Sequence, residues 1–123
     1  MIPPLIGIDL IEPDRLRTRL ETTQELLDEL FTAQERAYCF AQRDPYQHLA
    51  ARFCAKEATA KALGLDGFEP LDVEILSGGP EAELVLHGDA KSRADTLRVD
   101  VSASLTHLAA LAAAVVVARP RLA

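Results

Sequence analysis

The chain has no apolar run long enough to cross a bilayer. The longest, Leu108 to Ala118, has 11 residues, where a spanning helix needs about 20. Nor do its first residues, Met1-Ile2-Pro3-Pro4, carry a basic region, and Asp9 soon interrupts the apolar stretch behind them, so no secretory signal is expected. Together these predict a cytoplasmic protein with no membrane partner. Positive charge is in deficit, 13 Lys and Arg against 19 Asp and Glu for a net charge of −6, which argues against nucleic acid as a partner. Cysteine is scarce. Cys39 and Cys54 stand at a spacing that matches no paired metal motif and read as reduced core thiols. A Gly-rich phosphate loop, a nucleophile elbow, a zinc pattern, internal repeats and linkers are all missing.

What is present suits one domain over residues 1–123. At that length, with 49% hydrophobic residues, a single core needs no disulfide or structural metal. Residues 3 to 11 read as a buried strand. Glu12-Pro13-Asp14 opens a helix carrying Leu16 and Leu20. Thr22 to Glu25 and Thr32 to Glu35 both have capping-box spacing ahead of short helices. The longest helix is expected from about Tyr46 to Leu63, ending at Gly64. Leu49, Phe53 and Ala60 mark one of its stripes, and Ala51, Ala55, Ala58 and Ala62 another, as in a helix wedged between partners. Beyond it, strands at 72–76 and 83–87 form a hairpin around Ser77-Gly78-Gly79-Pro80, a weak helix covers 89–96, and two final strands follow, with a turn near Thr106-His107.

Charge placement carries the chemistry. Asp9 sits in the apolar strand Leu5 to Ile11, where a carboxylate costs several kcal/mol unless a cation neutralises it. Glu57 and Lys61 lie one turn apart on the long helix, with Arg52 and Lys56 on its other flank. Glu57 with Lys61 alone is an ordinary stabilising helix pair; Asp9 adds the acid that such a pair does not explain. Two carboxylates on separate rigid elements make a plausible half-site for magnesium, which completes its shell with water and substrate phosphates. Ser102, Ser104 and Thr106 alternate ahead of His107, a pattern that suits a phosphate or ribose, or simply an exposed polar strand face. Arg15, Arg17 and Arg19 form a local basic patch that an acidic partner could use, or a solvated face.

In this order, the segments Gly7-Ile8-Asp9-Leu10 with Glu12 to Leu16, Leu30-Phe31-Thr32 through Glu35, Ala51-Arg52-Phe53 through Lys61-Ala62-Leu63-Gly64, and Val101 to His107 before a small-residue strand resemble the holo-acyl-carrier-protein synthase family of 4'-phosphopantetheinyl transferases. The resemblance spans nearly the whole chain. It implies an α+β fold, an antiparallel sheet packed around a long central helix. It also implies magnesium-dependent transfer of 4'-phosphopantetheine from coenzyme A to a serine of an apo acyl carrier protein, in fatty-acid, polyketide or peptide synthesis, releasing adenosine 3',5'-bisphosphate. The implied metal ligands are Asp9 and Glu57, and the implied catalytic set is Asp9, Glu57 and Lys61. Arg52, Lys56 and His107 are implied coenzyme contacts and Arg15 a carrier contact. Short members of the family assemble as homotrimers with active sites between subunits. The chain departs from the family at Gly78-Gly79-Pro80, where a basic residue often intervenes, and at Leu65-Asp66-Gly67-Phe68. Two other readings stand beside this one: a weakened relative that binds coenzyme A or a carrier without efficient transfer, and a hot-dog thioesterase, which leaves the trio of Asp9, Glu57 and Lys61 unexplained.

Overall fold

The computed structural model describes residues 5–76 and 82–122, so the Gly78-Gly79-Pro80 turn lies outside the described residues. Strand β1 (Leu5–Ile11) pairs antiparallel with β5 (Ala112–Pro120), which pairs antiparallel with β4 (Val99–His107). A second, two-stranded sheet joins β2 (Val73–Ile75) to β3 (Leu84–Leu86). Between β1 and the hairpin come four helices: α1 (Pro13–Thr22), α2 (Glu25–Leu30), α3 (Ala33–Phe40) and α4 (Pro45–Leu63). α5 (Gly88–Leu97) connects β3 to β4.

α4 is the axis of the molecule. Pro45 occupies its first turn and Gly64, at φ 65°, its left-handed C-cap. Twelve of its 19 residues are buried, which explains why two apolar stripes were legible. One side of α4 packs on the three-stranded sheet so closely that a Cβ at residue 7 would run into the Ala58 carbonyl. Gly7 is therefore a contact requirement, set by strand backbone lying against helix backbone.

Three expectations change. The Thr32–Glu35 capping box forms, with reciprocal bonds between side chain and backbone, but the one at Thr22 does not. α1 continues through Thr22, whose hydroxyl donates back to the Thr18 carbonyl at 2.7 Å, so Thr22 lacks the extended backbone of an N-cap. The last turn falls at 108–111 instead of 106–107, and β4 runs on through His107. The strand read as buried has one open face: Ile6, Ile8 and Leu10 are 66%, 62% and 61% exposed. Their rows run across the sheet as Ile6–Val117–Ser102, Ile8–Val115–Ser104 and Leu10–Ala113–Thr106, grading from aliphatic to hydroxyl.

Candidate active site

A strand alternates its side chains between two faces. Leu5, Gly7, Asp9 and Ile11 thus share the face of β1 turned toward α4, opposite the exposed Ile6, Ile8 and Leu10. Glu57 and Lys61 stand about 40° apart around α4, one turn from each other, and meet Asp9 there. Lys61 Nζ lies 3.5 Å from Asp9 Oδ1 and donates to the Ile8 carbonyl at 3.0 Å. Burial, then the charge of Asp9, pushes the Glu57 carboxyl above its ordinary value, with Lys61 pulling the other way. Two acids in mutual repulsion with one partly exposed lysine are the electrostatics of a site that accepts another cation.

The acids open onto a cavity of about 390 Å³ between β1, α1, α2 and α4, lined by Asp9, Glu57, Arg15, Arg19, Leu30 and Phe53 among others. Arg19 is a cavity residue that sequence reasoning left undistinguished in the Arg15 to Arg19 patch. Its signal was spacing, since residues 15 and 19 share a helix face and residue 17 does not. Arg17 lies 3.9 Å from each of Asp14 and Asp44 and covers the Tyr46 ring at 4.8 Å.

Other candidates stand elsewhere. Lys56 is wholly buried: Nζ donates to Glu35 Oε1 at 2.8 Å, to the Pro70 carbonyl at 2.9 Å and to the Val73 carbonyl. All three ammonium donors are used inside the protein. Arg52 points about 140° around α4 from Glu57, is buried, and lies over Tyr38 at 4.4 Å. His107 faces α4, the side opposite Ser102, Ser104 and Thr106, so the histidine and the three hydroxyls do not form one set. Its Nδ1 is 2.8 Å from Gln47 Oε1, and its ring meets His48 edge-on at 4.7 Å. Burial, then the charges of His107 and Arg52, hold His48 below the usual imidazole range. His107 is level with Ile11 across β5, and Asp9 with Leu105. Two strand spacings and two residues of rise separate the Cα atoms of Asp9 and His107 by roughly 12 Å.

Residues 5–116 match the family described as the 4'-phosphopantetheinyl transferase superfamily. The chain belongs to that superfamily. Among individual relatives, the holo-[acyl-carrier-protein] synthase of Moorella thermoacetica is 40% identical over 89% of this chain and 88% of its own. The crystal structure of the Bacillus anthracis holo-(acyl-carrier-protein) synthase in complex with CoA (3',5'-ADP) matches with TM-score 0.77 at 27% identity, over 95% of this chain and 96% of that one. The Chronobacterium ammoniagenes ACPS–CoA complex, at 21% identity, shares the fold with TM-score 0.85 over 98% and 100% of the two chains. Membership of this transferase superfamily sets aside the hot-dog thioesterase.

Residues of the transferase fit a hard divalent ion at Asp9 and Glu57. Both are oxygen donors and they repel one another; among the described residues no group of three or more His, Cys, Asp or Glu is placed to hold a metal ion. A two-acid set leaves coordination places for water and substrate oxygens, which is how magnesium is ordinarily held. Beneath the acids lies Cys54, whose thiol is pushed up to about 12, first by burial and then by Asp9. Such a thiol is not a nucleophile. Among the described residues, no helix is long and apolar enough to cross a membrane.

Proposed function

We propose that this chain transfers the 4'-phosphopantetheine arm of coenzyme A to a serine hydroxyl of an apo acyl carrier protein and releases adenosine 3',5'-bisphosphate. It does so in the cytoplasm, with residues 1–123 as one domain. The observation that carries the reading is the meeting of Asp9, Glu57 and Lys61 at the rim of a cavity that Arg15 also lines. Coenzyme A enters the proposal from the Bacillus anthracis relative, crystallised with it.

Asp9 and Glu57 would hold magnesium, which when bound supplies charge neutralisation for the pyrophosphate. The protein's own work is alignment and proton handling, as phosphoryl transfer asks little covalent help of a protein. The serine oxygen bonds to the phosphorus that bears the pantetheine, and the bond from that phosphorus to the bridging oxygen breaks. The serine proton passes to Glu57, directly or through a water. Lys61 gives a proton to the departing bisphosphate oxygen. Arg15, with Arg19 beside it, offers cations to an acidic carrier.

His107 and Arg52 are assigned to the nucleotide end of coenzyme A. Their separation from the acids within one chain, and the uncovered aliphatic face of β1, support a homotrimer in which one subunit's acids work with its neighbour's His107. Incubation with coenzyme A, magnesium and a panel of apo carriers, followed by mass spectrometry, tests the reaction: one carrier gains a phosphopantetheine, whereas coenzyme binding without that gain marks a weakened relative. Mixing Asp9→Ala with His107→Ala chains tests the shared site, since mixed assemblies regain activity if sites lie between subunits.

A further inference from the structure

Lys56 takes no part in the reaction above, yet it is bonded to three separate elements of the fold. Its ammonium joins α4 to Glu35 of α3, to the Pro70 carbonyl of the turn Pro70–Asp72, and to Val73 at the start of β2. Glu35 is equally committed. One carboxylate oxygen takes Lys56 and the Thr32 amide, and the other accepts the Ile75 amide at 3.1 Å. Both side chains are 0% exposed. Two residues on, α4 touches the opposite wall of the molecule, where the Ala58 carbonyl meets the backbone of Gly7. Residue 57 is thus bracketed, with the helix tied on one flank at 56 and seated on the other at 58.

We propose that the Lys56–Glu35 pair is a positioning device for the reaction: it fixes the rotation of α4 about its own axis and so aims Glu57 at Asp9. The inference rests on the metal-site reading of Asp9 and Glu57. A helix free to roll by 20° displaces a carboxylate held about 6 Å from the axis by some 2 Å, enough to spoil a shared ion. An aliphatic residue at 56 would fill the same space, but three acceptors from three elements define an angle that shape alone leaves loose.

The test uses Lys56→Met and, because Glu35 left without its cation threatens folding, the double variant Glu35→Gln/Lys56→Met, both at a temperature where circular dichroism shows the native helix signal. Manganese, a paramagnetic stand-in for magnesium, is titrated by electron paramagnetic resonance with coenzyme A present, and turnover is followed in parallel. The expected result is manganese affinity at least tenfold weaker and kcat at least tenfold lower, with KM for coenzyme A within about twofold of wild type. A folded variant with wild-type manganese affinity and kcat overturns the positioning role and leaves the proposed reaction standing. Wild-type protein that itself binds no manganese overturns the metal site, and the positioning role with it.

Discussion

Lys56 and Glu57 are neighbours in sequence and opposites in environment. Lys56 lies in a closed region where each of its three ammonium donors has an acceptor and its nearest counter-charge is 2.8 Å away. Burial pulls its ammonium below the ordinary value, with Glu35 acting against that. Glu57 faces an open region where its acidic neighbour Asp9 repels it and the lysine that offsets this, Lys61, belongs as much to Asp9. Both residues are desolvated. One cost is answered within the fold, and the other is left for something that arrives later. A charge satisfied by its own protein holds structure; one left in excess is available for binding.

The contrast breaks most visibly at the open region. Asp9→Ala or Glu57→Ala should lower carrier phosphopantetheinylation about 10³-fold, equivalent to ~4 kcal/mol of transition-state stabilisation, with the far-ultraviolet circular dichroism unchanged. At the closed region the fold itself should suffer beside the turnover: Lys56→Met leaves Glu35 buried without its cation and should cost roughly 3–5 kcal/mol of stability in urea unfolding. Lys61→Ala, at an exposed side chain, should lower kcat about 10²-fold with little change in KM for coenzyme A or in the unfolding midpoint.

Smaller effects sharpen the comparison. Arg15→Glu should raise KM for the carrier about tenfold at low salt, with the difference shrinking as salt is added. Glu57→Gln should make the unliganded protein slightly more stable near neutral pH. The sign follows from the raised proton affinity of Glu57 in the fold: ionisation above that range costs stability, and glutamine never ionises. The gap should close below about pH 4, where Glu57 is protonated folded or unfolded.

Much of the fold was legible because its signals are local. Pro45, Gly64 and the alanine stripes marked α4, and Thr32 with Glu35 marked the start of α3. Where a local signal met a competing one, it failed: Thr22 has the spacing of a cap, but α1 had not yet ended. The site divides in the same manner. Asp9 stood out because a charge in an aliphatic strand is conspicuous, and its meeting with Glu57 and Lys61 followed from strand and helix periods. The fate of Lys56 was illegible, because its partners, Glu35, Pro70 and Val73, come from three segments whose convergence no spacing reveals. His107 was misgrouped with the hydroxyls for a simpler reason: an odd-numbered residue after 102, 104 and 106 points the other way.

The missing side chain at residue 7 sets a mechanical datum. Where main chain rests on main chain, as at Gly7 and Ala58, no rotamer is interposed to act as a spring between the strand bearing one acid and the helix bearing the other. An adjustment in the aliphatic core that touches neither this contact nor the Lys56–Glu35 pair therefore has no soft element here through which to reach the reacting groups.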